Sequence, residues 1–137
     1  MQKSKKQGRF RILTIRGVPH DAIRVFVGFL YSSLYEAEDV EEFVQDLLVL
    51  SHMYVVPQLK RLCEDRLERG MINVDNAVDV FQLTLLCDAS QLGFICQSMI
   101  MRNFKEVSAT EGWTAMKKSH PILENLLVEY LIEDDNL

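Results

Sequence analysis

Residues 17–67 read GVPHDAIRVFVGFLYSSLYEAEDVEEFVQDLLVLSHMYVVPQLKRLCEDRL, and the spacing of their apolar side chains decides the fold. Ile23, Phe26, Val27 and Leu30 recur at i, i+3, i+4 and i+7, and Ala22, Val25 and Phe29 lay a second apolar stripe beside them. A helix apolar over so much of its circumference is expected to be buried on most sides. Val40, Phe43, Val44, Leu47 and Leu48 repeat the period, with Glu41, Glu42 and Asp46 on the other face. Leu59, Leu62, Cys63 and Leu67 oppose a charged face that includes Lys60, Arg61, Glu64, Asp65, Arg66, Glu68 and Arg69. Three helices are therefore expected, over 21–32, 39–54 and 57–69, joined by very short connections.

Upstream, the partly alternating FRILTI of residues 10–15 reads as one short strand ended by Gly17. Downstream the helical period continues along Val74, Ala77, Val78, Phe81 and Leu85, then Leu92, Ile95, Cys96, Met99 and Ile100, then Leu123, Leu126, Leu127, Tyr130 and Leu131. Pro19, Pro57 and Pro121 each open a periodic run, where a missing N–H costs little. Asn73 is expected to cap a helix over 74–86, and Asp88 with Gln91 and Ser108 with Glu111 form capping-box patterns. Gly70 suits a helix stop. Gly28, Gly93 and Gly112 fall inside helices, where they are expected to mark close helix contacts. The expected fold is mainly α, a helical array with antiparallel neighbours and one short N-terminal strand.

A chain of 137 residues that is 48% hydrophobic can build one domain or two small helical units. Its net charge of −5 is uneven. Residues 1–16 carry six bases (Lys3, Lys5, Lys6, Arg9, Arg11, Arg16) and no acid, which leaves −11 for the remainder. So acidic a body is not expected to hold nucleic acid by its phosphates. Nothing approaches the roughly 20 apolar residues of a membrane span. Cys63, Cys87 and Cys96 sit at apolar helical positions, and an odd count without paired spacing fits buried thiols in a reducing compartment.

The reactive residue types give no catalytic constellation. His20, His52, His120 and the three cysteines fall in no recognisable spacing, and helix-end histidines and core thiols account for them. No zinc, calcium or other cofactor is expected, because neither paired ligand spacing nor a D-x-D-x-D-G loop is present. Glu36, Glu38, Asp39, Glu41, Glu42 and Asp46 form an acidic cluster with no Lys or Arg from Ser32 to Leu59, read first as a solvated helix start and second as a docking surface for a basic partner. Met53, Met71, Met99, Met101 and Met116 read as core filler. The segment MIMRNFKEVSATEGWTAMKK, broken by Ser108 and Gly112 and weakly basic, is not read as a calmodulin target.

Several phrases carry a family resemblance. FVGFLYSSLY (26–35), LLVLSHMYVVPQLKRLCEDRL (47–67) and NVDNAVDVFQLTLLCDASQL (73–92) resemble the second half of a BTB/POZ domain followed by the helical extension called BACK. The stretch SMIMRNFKEVSATEGWTAMKKSHPILENLLVEYLIE (98–133) is similar more specifically to the plant BTB/TAZ proteins. The resemblance implies a basic, disordered tail over 1–9, a partial BTB/POZ domain over 10–69 and a BACK-like region over 70–137. It implies the middle of a longer protein, since neither the N-terminal half of the BTB fold nor the Cys/His array of a TAZ zinc finger is in the sequence.

What the family implies for function is a non-enzymatic adaptor of cullin-3 ubiquitin ligases, with a role in transcriptional regulation, in nucleus and cytoplasm. The partners so implied are cullin-3, another BTB chain and transcription regulators. Mapped onto this sequence, the cullin contacts fall in two exposed turns, Ser33, Leu34 and Tyr35 in one and His52, Tyr54 and Val55 in the other. The hydrophobic-x-Glu segment that many cullin-binding BTB domains carry before the strand has Met1-Gln2-Lys3 as its nearest equivalent, with the charge reversed. Two alternatives stand beside the adaptor: a regulatory fragment that pairs with a full-length relative through its free strand, and a small helical enzyme.

Overall fold

The computed structural model describes residues 18–32 and 35–135, with side chains through residue 129. The expected tail (1–9) and strand (10–15), together with Ser33 and Leu34, lie outside the described residues. All regular structure among the described residues is helical, as expected for a mainly α chain. The described residues divide into two compact units, the first ending at Arg66 and the second beginning at Leu67.

The first unit begins with α1 (His20–Ser32). The Pro19 carbonyl opens it by accepting the N–H groups of Ala22 and Ile23 at 3.1 and 3.2 Å. Burial is confined to its first two turns, at Ala22, Ile23 and Phe26. The expectation that α1 is buried on most sides is thus corrected: Leu30 is 51% and Tyr31 87% exposed.

The single helix expected over 39–54 is two, α2 (Ala37–Glu42) and α3 (Val44–Met53), broken at Phe43 with φ −115° and ψ 27°. Val40, Val44, Leu47 and Leu48 are all buried and keep one face across the break, so their periodicity does not betray it. Met53, read as core filler, is exposed. After a tight stop comes α4 (Pro57–Arg66), which buries Leu59 and Cys63 and packs on α3. Arg66 Nη1 meets Glu41 Oε2 at 2.7 Å and ties α4 to α2, an exposed pair of the kind that contributes at most about 1 kcal/mol.

The helix expected to run to residue 69 ends at Arg66, and Leu67–Met71 form a wide turn in which Gly70 takes φ +117°. Glycine adopts that conformation without a Cβ clash, so the expected stop is realised. The second unit then runs through α5 (Ala77–Leu86), α6 (Ser90–Arg102), α7 (Phe104–Val107), α8 (Glu111–Ser119) and α9 (Pro121–Asp135). Helices α5 and α6 pack on one another. Trp113 on α8 is buried and meets the Phe104 ring edge-on at 5.2 Å between centroids.

The expected caps hold in part. Asn73 does act as a cap, in a reciprocal pair: its Oδ1 accepts the Asn76 N–H at 3.0 Å, its own N–H donates to Asn76 Oδ1 at 2.8 Å, and its carbonyl accepts the Ala77 N–H at 2.9 Å where α5 begins. Asp88 lies at φ 54° as the residue that stops α5, and Ala89 precedes α6 without a side-chain cap. Thr110, two residues past Ser108, is the N-cap of α8 and accepts the Trp113 N–H at 3.2 Å.

Two of the three helix glycines mark close approaches. A Cβ on Gly93 would stand 2.8 Å from Thr84 Oγ1, and one on Gly112 would stand 3.3 Å from Asp79 Oδ1, whereas nothing lies within 4 Å of such an atom on Gly28. Leu85 and Leu126, expected in the core, are half exposed instead. They line an open groove of about 420 Å³ between α5, α6 and α9 that also holds Phe94 and Leu123.

Candidate functional site

The two turns singled out by the sequence both belong to the first unit, and local hydrogen bonding explains the shape of the second. At the end of α3 the Val56 N–H donates to the Ser51 carbonyl at 2.8 Å and the Val55 N–H to the His52 carbonyl at 3.3 Å. This six-to-one and five-to-two pattern is a Schellman stop, which requires a left-handed residue at its penultimate position. Val55 fills that position at φ 56°, and its side chain is 79% exposed. A β-branched residue there is an outlier, since such stops favour glycine or asparagine.

In the first turn Tyr35 is 42% exposed and lies against Phe29, with ring centroids 5.8 Å apart. It stands on the wall of an open groove of about 650 Å³, lined by Phe29, Leu30, Val56, Gln58, Arg61, Leu62 and Asp65. A second recess of about 450 Å³ shares Tyr35 and is lined by Arg24, Val25, Gly28, Glu36 and Asp39. The groove thus joins the end of α1, the Tyr35 turn and the start of α4.

The sequence-selected residues divide. Tyr35 and Val55 present themselves to solvent, and Val56, next to Val55, lines the groove with Tyr35. His52 and Tyr54 are only partly exposed. The Lys60 ammonium donates to His52 Nδ1 at 3.3 Å, so that nitrogen serves as acceptor. The Tyr54 ring packs 5.9 Å from Phe26 and so belongs with the core of the unit. Leu30, Tyr31, Met53 and Arg61 are exposed beside these turns and were missed. Tyr31 and Arg61 carried a signal, since Tyr31 falls outside the i, i+3, i+4, i+7 series and Arg61 lies on the charged face of its helix.

The electrostatics are lopsided. Glu36, Glu38, Glu41 and Glu42 are exposed around α2. Burial holds the Asp46 carboxyl above the usual carboxylate range. Arg24 pairs with Asp21 at 3.1 Å within α1. The recess that shares Tyr35 is therefore mainly acidic, whereas the groove itself carries Arg61 beside Asp65, and Glu41 is paired with Arg66.

For chemistry the arrangement offers little. Cys63, Cys87 and Cys96 are buried, and desolvation pushes the Cys96 thiol up to about 12, far from the thiolate that a nucleophile or metal ligand requires. Among the described residues no group of three or more His, Cys, Asp or Glu is placed to hold a metal ion. No described helix is long and apolar enough to cross a membrane.

No family model matches the chain. Among known proteins it is 56% identical over 136 residues to the BTB/POZ and TAZ domain-containing protein 4 of Arabidopsis thaliana, a stretch that covers 99% of this chain and 37% of that protein. It is 55% identical to protein 5 of the same series, over 93% of this chain and 35% of the relative. A more distant likeness, 26% identity over 88% of the chain, is to the BTB and MATH domain-containing protein 42 of Caenorhabditis elegans, of which it covers 29%. The chain spans about a third of the length of the curated relatives it matches. By sequence, nearly the whole of this chain is similar to a part of the plant BTB/POZ and TAZ domain-containing proteins, the resemblance that its motifs carry.

Proposed function

We propose that the chain is a protein-interaction module whose partner is cullin-3, and that it serves as part of a substrate adaptor for a ubiquitin ligase. The observation that carries this reading is the groove beside Tyr35, where an aromatic ring, Leu30 and Val56 meet at an open apolar surface with Arg61 and Gln58 on its wall. Interaction surfaces of this kind concentrate their binding free energy in a few aromatic and arginine side chains. The family supplies the partner. The burial of all three thiols favours a binding role over an enzymatic one. A role in transcriptional regulation, in nucleus and cytoplasm, belongs to the same proposal.

Gel filtration of the purified chain with the N-terminal domain of cullin-3 tests it. Co-elution by the parent, lost with Tyr35→Ala, is the expected result; separate elution of two folded proteins at micromolar concentration contradicts it.

A further inference from the structure

Five large apolar side chains of the second unit gather on one face, each between 50 and 72% exposed. Leu85 and Leu86 end α5, Phe94 lies on α6, and Ile122 and Leu126 lie on α9. Two open grooves run among them, one of about 420 Å³ and one of about 730 Å³, with Leu85 and Leu123 as their common wall. A single exposed leucine is ordinary on a protein surface, but a contiguous patch is not. At about 150–200 Å² for a fully exposed residue of this size, the five present roughly 500 Å² to solvent, near the upper end for the largest patch on a monomer.

Charge narrows the choice of occupant. Residues 17–137 sum to −11, yet the described residues that line the two grooves include one acid, Asp88, and no Lys or Arg. Glu124, next to Leu123 in the chain, is met by Lys117 at 3.7 Å. A face with so little charge offers a basic or acidic partner nothing to pair with. On so acidic a body it is instead where two copies can meet without like-charge repulsion.

Area and shape agree with that occupant. Two such faces would remove roughly 1,000 Å² from water before any polar rim is counted, which is about what a specific interface needs. The same face carries both projections, Phe94 and Ile122, and recesses, as a two-fold pairing of identical surfaces requires.

We propose that this face of α5, α6 and α9 binds a second copy of the chain, the Phe94 of each copy entering a groove of the other. Only second-unit residues take part. The expected strand over 10–15 and the Tyr35 groove are not involved, so the proposal does not rest on the cullin-3 reading.

Sedimentation equilibrium of the full chain and of its Phe94→Glu, Ile122→Glu and Tyr31→Glu variants tests it, with thermal unfolding followed by circular dichroism as the check on folding. All three replaced side chains are exposed, so melting temperatures close to the parent's are expected. The parent is expected to form a dimer with a dissociation constant of about 10 µM, in keeping with a small interface. Phe94→Glu and Ile122→Glu each place a carboxylate on the face of both copies and are expected to weaken association at least about tenfold. Tyr31→Glu, an equal change of charge in the first unit, is expected to associate as the parent does.

A parent that stays monomeric up to about 100 µM overturns the proposal. So does association that either folded second-unit variant leaves unchanged, association that Tyr31→Glu weakens to the same degree, or growth of the parent beyond a dimer. Should one second-unit variant fail to fold, the other decides.

Discussion

The rings of Phe29 and Tyr35 lie 5.8 Å apart at 40° to one another, so a residue of the turn after α1 is set against the helix that precedes it. The contact fixes one wall of the groove that runs to Val56 and Arg61. An aromatic pair of this geometry contributes about 0.5–1.5 kcal/mol beyond its area. Tyr35→Ala is therefore expected to lower stability by about 1 kcal/mol, while Tyr35→Phe leaves it nearly unchanged; urea unfolding of both variants checks this. A cost above about 3 kcal/mol would mean that Tyr35 is a core residue and not part of a surface.

The tight approach of α5 to Gly93 makes a sharper prediction. Gly93 is buried, and Thr84 Oγ1, which a new Cβ would meet at 2.8 Å, is held by its bond to the Phe81 carbonyl at 2.6 Å. Helix propensity alone would make Gly93→Ala stabilising by about 1 kcal/mol. Overpacking at such a contact costs about 1–3 kcal/mol, so a net loss is expected. In a Thr84→Ala background the hydroxyl is gone and the same substitution should become neutral or favourable. A double-mutant cycle with no coupling would contradict the packing described here.

How much of this was legible in the sequence depended on whether a local signal had one meaning. Pro57, Pro121 and Gly70 did, and each stands at the helix boundary expected of it. Ser108 and Thr110 offer two capping side chains within three residues, and the sequence does not choose between them. The break at Phe43 was hidden because the buried residues on either side keep a helical period. Exposure of Leu30, Leu85 and Leu126 could not be read at all, since an apolar series does not say whether a neighbour covers its end. Tyr35 and Val55 came from family resemblance; periodicity supplied neither.

Asp46 gives a pH dependence with a definite sign. Its folded carboxyl is raised by desolvation, so the folded state binds the proton more readily than the unfolded chain does. That contribution is present below the ordinary carboxylate pKa and is lost as pH rises through the raised value. At neutral pH the charge is a penalty. Asp46→Asn should be more stable than the parent at pH 7, with an advantage that shrinks as pH falls toward 4. Denaturant unfolding at both pH values checks it, and a difference independent of pH would contradict it.

The buried thiols should be inert in the native state. With Cys63, Cys87 and Cys96 buried and the Cys96 thiol pushed up to about 12, iodoacetamide at pH 8 is expected to leave all three unmodified until denaturant is added. Mass spectrometry before and after unfolding reads the result. Rapid alkylation of the native protein would reopen the enzymatic alternative.

Calorimetric titration of the chain with the N-terminal domain of cullin-3, run beside a Tyr35→Ala variant of confirmed helicity, tests the adaptor reading most directly. The account predicts saturable binding by the parent and affinity about tenfold weaker or worse in the variant. No heat of binding from a parent that unfolds cooperatively, or equal affinity in the variant, would contradict it.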